Sequence, residues 1–226
     1  MGGTADSVEL NHMQLKDRVY QYLRRAIIAG DFEVGAALRE VDISVSLGVS
    51  KTPVREAFVR LQSDRFVELI PYRGAVVSGY SRRDVREIYE VREMVEGRCA
   101  ARMAESADEA LLDQLQCNVR QARDAADSGD IAAVIDSFEK FDGLIYSQAD
   151  NRWISDIIDD LEGHQRRVGR PTVDIPGRVE RSIKQHQAIC DAIVKRNASG
   201  AEAAMRKHVR SVMTDQLKSF QDHPAG

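Results

Sequence analysis

The sequence predicts a mainly α-helical protein in two parts: an N-terminal winged helix-turn-helix with a small β-wing, and a C-terminal all-α helical bundle. Three observations lead there. The chain has 226 residues, 43% of them hydrophobic, more than the roughly 150 that serve as a soft prior for one domain. Its first 80 residues carry three short amphipathic segments and then two apolar runs around a turn. From Tyr72 to Arg170 there is no proline, and apolar residues recur at spacings of three and four, which suits a bundle of helices rather than a sheet.

The elements follow in order. Leu15, Val19, Leu23, Ala26 and Ile27 form one stripe of a first helix that stops at Ala29-Gly30, where glycine suits a helix C-terminus. Glu40 to Leu47 reads as a short second helix with Val41, Ile43 and Leu47 inward, and Gly48 supplies the positive φ of a tight turn. A third helix opens at Ser50-Lys51-Thr52-Pro53. On a wheel Val54, Ala57, Phe58 and Leu61 gather on one side, and Lys51, Thr52, Arg55 and Gln62 on the other. Phe66 to Ile70, the turn Pro71-Tyr72-Arg73-Gly74 and Ala75 to Val77 read as a two-stranded wing. In the winged helix-turn-helix plan the second helix of the motif enters the major groove of DNA and the wing reaches the backbone or minor groove. An isolated helical hairpin with a solvated basic face is the alternative, and the flanking helix and wing weigh against it.

Helices are expected over Val85 to Ala104, with Ile88, Val91, Val95 and Cys99 in one stripe, then Asp108 to Asp127, Ile131 to Gln148, Trp153 to Arg167, Arg178 to Lys195 and Ala201 to Phe220. The breaks fall at Gly129, Asn151, Pro171 to Pro176 and Asn197 to Gly200. With the last turn near residue 198, His186 and His208 stand roughly 18 and 15 Å from it on antiparallel neighbours, so the two imidazoles can meet at one level. Two unrelated helix histidines are the plainer reading.

The net charge of −4 argues at first sight against nucleic acid. Residues 14–80, however, hold 10 Lys and Arg against 8 Asp and Glu, and residues 81–226 hold 22 against 26, so only the first part is basic. Cys99, Cys117 and Cys190 are widely separated and fit free thiols in a reducing cytoplasm. No run approaches the roughly 18 apolar residues of a membrane span. There is no nucleophile beside a base, no glycine-rich phosphate loop and no HExxH pair, so an enzyme is not expected. A metal-dependent hydrolase and a winged helix that binds protein instead of DNA are the competing readings.

The strings Gly30 to Glu40, Leu47-Gly48-Val49-Ser50-Lys51-Thr52-Pro53-Val54-Arg55-Glu56-Ala57 and Pro71-Tyr72-Arg73-Gly74-Ala75 resemble the GntR family of bacterial transcription regulators. Ile88 to Glu96 is similar to the opening helix of its FadR-like, FCD-type branch. The resemblance runs from about Leu15 to about Phe220. It implies a flexible arm over residues 1–12, a DNA-binding domain over 13–79, and an all-helical effector-binding and dimerisation domain over 80–222. It further implies a cytoplasmic homodimer, most simply a repressor, that binds a palindromic double-stranded operator under the control of a small carboxylate effector.

Carried over residue by residue, the resemblance places DNA contacts on Arg39, Lys51, Thr52, Arg55, Arg73 and Gly74. Where Lys51 stands the family usually has arginine, so a bidentate guanine contact becomes a single-point one. His186, twenty-one residues, then His208 resembles the last two metal ligands of the FadR-like domain. Its upstream Asp and His positions hold Phe138 and Asp142. Two readings stay open: a divalent metal, zinc or similar, on Asp142, His186 and His208, or a metal-free pocket in which the histidines are polar partners. Arg92 matches the family's arginine near the pocket, placed either to grip the effector carboxylate or to pair with a nearby acid. His164 and Arg166 are expected at the surface.

Overall fold

The computed structural model describes residues 5–71, 73–169, 172 and 175–219. Residues 1–4 of the expected arm, Tyr72 of the expected wing turn, Pro171 and Phe220 lie outside the described residues. The chain divides into two compact units, the first ending at Ser81 and the second beginning at Arg82.

The first unit contains α1 (Ala5–Ala29), β1 (Ala37–Leu38), α2 (Glu40–Leu47), α3 (Lys51–Ser63), β2 (Val67–Ile70) and β3 (Gly74–Val77). Helix backbone begins at Ala5, within residues 1–12 expected as a flexible arm. No glycine or proline interrupts the sequence between Thr4 and Gly30, so nothing local stops the helix short of Gly30, which takes a positive φ of 86°. Val19, Leu23 and Ile27 from α1 pack with Val54, Phe58 and Leu61 from α3 and with Phe66, Val67, Ala75 and Val77 around the wing, giving one apolar core.

Helix α2 ends at Gly48, whose left-handed backbone (φ 64°) lets its N–H reach the carbonyls of Ser44 and Val45. Its inward face is Ile43, Ser44 and Leu47. Val41, expected inward, is 50% exposed, because two residues before Ile43 lies about 200° around the helix. The wing is a three-stranded antiparallel sheet in the order β1-β3-β2, with Val67 opposite Val77 and Leu69 opposite Ala75. The short β1, which pairs Leu38 with Ala75, was not foreseen; two residues are too few for an alternating pattern to register.

The second unit contains α4 (Arg82–Ser106), α5 (Glu109–Ser128), α6 (Ile131–Tyr146), α7 (Arg152–Gly169), α8 (Arg178–Val194) and α9 (Ala198–Ser219). Asp108 and Asp130 cap α5 and α6 by accepting from the backbone N–H of Leu111 and Ala133. A left-handed Gly129 closes α5. Helix α4 lies against α8 and α9, and α5 against α6 and α8. Gly97 lets α4 and α9 approach closely: a Cβ there would sit 3.0 Å from Arg206 Cγ. Among the described residues no helix is long and apolar enough to cross a membrane.

The expected apolar stripe of α4 is displaced. Ile88, Val91 and Val95 are only half-buried, whereas Val85, Tyr89, Arg92 and Glu96 face the interior. The first half of α4 therefore buries a polar line, which a search for apolar spacing passes over.

Candidate nucleic-acid interface and buried polar cluster

Burying Pro53, Val54, Ala57, Phe58 and Leu61 turns the opposite face of α3 to solvent. Lys51, Thr52 and Arg55 are all exposed on it. Arg39, the residue just before α2, and Arg73, in the wing turn, are exposed as well. Gly74 begins β3 at φ 99°, and a Cβ there would drive into the carbonyl oxygen of Leu38, so glycine is dictated by both conformation and space. Arg55 is engaged as well as exposed: its Nε and Nη2 donate to Oε1 and Oε2 of Glu40 at 2.9 and 2.7 Å. That hydrogen bond, with the charge of Arg55, holds the Glu40 carboxyl below its ordinary range.

The second unit encloses a polar cluster. Arg92 and Glu96, one turn apart on α4, are 4% and 2% exposed, and Arg92 Nε donates to Glu96 Oε1 at 2.6 Å. Burial alone would lower the Arg92 pKa, but the facing Glu96 carboxylate outweighs it and raises it. The Tyr146 hydroxyl lies 3.0 Å from the same Glu96 oxygen and 3.2 Å from Gln165 Oε1. Gln165 Nε2 in turn donates to Asp142 Oδ2 at 3.0 Å. Glu96 Oε2 is buried without a hydrogen-bond partner among the described residues, an arrangement that a polar ligand or an ordered water satisfies. Burial, then the charge of Glu96, pushes the Asp142 carboxyl up to about 7, against the pull of Arg92 and Gln165.

His186 and His208 do meet, with ring centroids 4.7 Å apart. Burial, then the cation of Arg178, brings His186 down to about 3. Burial also lowers His208, with His186, Arg178 and Arg92 adding to it. Both rings are therefore neutral at physiological pH. His208 Nδ1 lies 2.9 Å from Gln185 Oε1. Arg178, itself buried, reaches Ser211 Oγ at 3.2 Å and Asp215 Oδ2 at 3.4 Å.

The proposed metal set of Asp142, His186 and His208 is not assembled. Among the described residues no group of three His, Cys, Asp or Glu side chains converges as a metal requires. The cause lies in the neighbours. Phe141 stacks on the His186 ring at 4.0 Å, and Phe138, standing where the family pattern has an acid, meets it edge-on at 4.9 Å. Asp142 is committed to Gln165. The fixed cations near the histidines, Arg178 for both rings and Arg92 for His208, oppose a divalent cation. Among the described residues, Asp142, His186 and His208 as they stand do not fit a metal.

His164, expected at the surface, is buried at 9% exposure, while Arg166 is exposed and pairs with Glu162 and Glu139. Of the two roles left open for Arg92, the structure contains the pair with an acid. Glu96, Tyr146, Gln165 and Arg178 were not singled out from the sequence. Glu96 alone had a usable signal, since it stands four residues after Arg92 on a helix.

Comparison with known proteins adds independent findings. Residues 15–77 match the family described as bacterial regulatory proteins, gntR family, and residues 87–211 match the FCD domain. The HTH-type transcriptional repressor RspR of Escherichia coli strain K12 is 30% identical over 205 residues, 90% of each chain. A probable D-xylose utilization operon transcriptional repressor of Paenarthrobacter nicotinovorans is 25% identical over 92% of each. Among solved structures, a putative GntR transcriptional regulator from Rhodococcus sp. RHA1 superposes with a TM-score of 0.71 at 26% identity, over 91% of this chain and 99% of the other. E. coli McbR/YncC shares the fold, with a TM-score of 0.73 at 21% identity, over 92% and 99%.

Proposed function

This chain belongs to the gntR family of bacterial regulatory proteins and carries an FCD domain, and from that premise we propose how it performs its task as a DNA-binding transcriptional regulator. Its relatives are regulators and not enzymes, which sets aside the hydrolase alternative, and membership in a DNA-binding family does the same for the protein-binding winged helix.

Residues 13–79 form the DNA-binding domain and residues 80–222 the effector and dimerisation domain of a cytoplasmic homodimeric repressor. Two copies of α3 enter successive major grooves of a palindromic operator, with Lys51, Thr52 and Arg55 at the bases and Arg39, Arg73 and the Gly74 turn at the phosphates. The observation that carries this reading is the solvent-facing cationic side of α3, flanked by Arg39 and Arg73. The effector is a small organic acid received in the buried cluster by Arg92, Asp142, His186 and His208. The cations Arg92 and Arg178 supply there the charge that a metal would otherwise supply. Occupation of the cluster biases the spacing of the two reading heads and so the affinity for the operator.

Fluorescence anisotropy on the duplex DNA flanking the gene tests the first half. Wild type binds and Arg55→Ala loses binding while remaining a dimer by light scattering; equal binding by the variant refutes the placement of α3. A thermal-shift screen of carboxylates, run with and without chelator, tests the second. A stabilising acid whose effect survives the chelator and is lost in Arg92→Met supports the cluster, and a stabilisation that requires added metal refutes it.

A further inference from the structure

We propose that Glu40 is a positioning residue for base recognition, which holds the Arg55 guanidinium side-on so that its outer end is presented to one guanine in each half-site. The inference rests on the reading of Arg55 as a groove contact. It goes beyond that reading in giving specificity to an acidic residue whose charge opposes DNA binding.

Glu40 is the first residue of α2 and Arg55 the fifth of α3. The pair therefore spans the two helices of the motif. Its geometry is specific: the carboxylate oxygens take Nε at 2.9 Å and Nη2 at 2.7 Å, one edge of the guanidinium. Nη1 and the outward hydrogen of Nη2 point away from Glu40, and these are the two donors that span O6 and N7 of guanine.

The pair lies at the surface, with the Arg55 side chain 65% exposed and that of Glu40 24%, so the free end of the fork faces solvent and any groove that α3 enters. Lys51, one turn earlier on α3, is exposed on the same side but is a mobile point charge. Of Lys51 and Arg55, the two cations in the first half of this helix, the planar readout falls to Arg55. An unrestrained arginine would sample phosphates as readily as bases, and phosphate contacts carry no sequence information. Holding Arg55 by a second bidentate contact restricts that choice before DNA arrives. The charge of Glu40 acts the other way on general affinity, since it stands beside the phosphates and repels them. The arrangement therefore exchanges non-specific affinity for discrimination. A carboxylate that merely stapled α2 to α3 would affect stability and leave base preference untouched.

The experiment selects binding sites for the full-length protein from a pool of random-sequence duplexes, then measures affinity for the selected duplex, for its single-base variants and for an unrelated duplex. Wild type selects a guanine at one position of each half-site, and Arg55→Ala loses that preference. Glu40→Gln loses roughly tenfold of the discrimination at the same position, about what one bidentate contact supplies, and keeps the other positions. It also binds the unrelated duplex more tightly than wild type. Glu40→Asp, which keeps the charge but is one methylene too short to hold both contacts, loses the guanine preference without that gain. Melting temperatures near wild type show that the variants fold. If Glu40→Gln and Glu40→Asp both retain the guanine preference, Glu40 does not position Arg55 and the proposal falls. If Arg55→Ala retains it, the assignment of Arg55 to the groove is what fails, and the role of Glu40 falls with it.

Discussion

Replacing Arg92 by methionine removes one member of the buried pair and leaves the other in place. Glu96 is 2% exposed. Without Arg92 Nε at 2.6 Å its carboxylate keeps, among the described residues, the Tyr146 hydroxyl at 3.0 Å, with the Asp142 carboxyl close enough to interact electrostatically. Breaking a buried ion pair in this way costs about 3–5 kcal/mol, because an uncompensated charge stays in the interior. For a chain of this size roughly 2–4 °C of melting temperature accompanies each kcal/mol, so Arg92→Met melts roughly 6–20 °C below wild type. The double variant Arg92→Met with Glu96→Leu removes both charges and replaces them by apolar volume. It recovers most of the loss, because an apolar replacement of a buried pair is often near neutral. What remains is the cost, about 1–3 kcal/mol at most, of the Tyr146 hydroxyl losing an acceptor, softened by Gln165 Oε1 at 3.2 Å. Urea unfolding followed by circular dichroism measures all three proteins. A single variant within about 1 kcal/mol of wild type, well below the buried-pair range, or a double variant less stable than the single, refutes the reasoning.

Other consequences follow from the same geometry. Gly74→Ala places a Cβ against the Leu38 carbonyl at φ 99° and costs about 1–3 kcal/mol of strain, read as a lower melting temperature; an unchanged one contradicts the wing geometry. Asp142, with a folded pKa near 7 against an ordinary 3.8, holds a proton between about pH 4 and 7 that the unfolded chain has released, so its contribution to stability falls as pH rises through that window. His186, lowered to about 3 from 6.5, does the reverse: below about pH 6.5 the unfolded chain gains a proton first and stability falls with acid. Asp142→Asn therefore unfolds at higher urea than wild type at pH 8 and loses stability more steeply between pH 7 and 4; parallel pH profiles would count against the burial of Asp142. Zinc leaves the melting temperature of wild type unchanged, whereas Phe138→Asp combined with Asp142→His, which restores the acid and imidazole of the related pattern, acquires a zinc-dependent rise. A zinc response of the wild-type protein would reinstate the metal.

The helix-turn-helix was legible because its signals are local. Gly48 marks a left-handed turn, and Val54, Ala57, Phe58 and Leu61 repeat at helical spacing over a whole helix, so one face had to be core and the other solvent. Where the pattern was thin the reading slipped. Val41 was placed inward on a helix of only eight residues, too short for apolar spacing to fix a face. In the second unit the helices were legible from the same periodicity, but the contents of the buried polar cluster were not. Arg92, Glu96, Arg178, His186 and His208 are polar residues turned inward, and nothing in hydrophobic patterning distinguishes them from a solvated face. The two histidines were found because helical rise on antiparallel neighbours fixes their level. That Asp142 turns to Gln165 on α7 instead of joining them depends on long-range packing that spacing along the chain does not encode.

Methylation interference tests the central assignment most directly, because a methyl group on guanine N7 blocks the major groove and leaves the phosphates untouched. On a selected duplex the account predicts that such modification abolishes binding at guanines in each of two half-sites separated by one helical turn. Binding that tolerates N7 methylation throughout the selected site would contradict the placement of α3 in the groove.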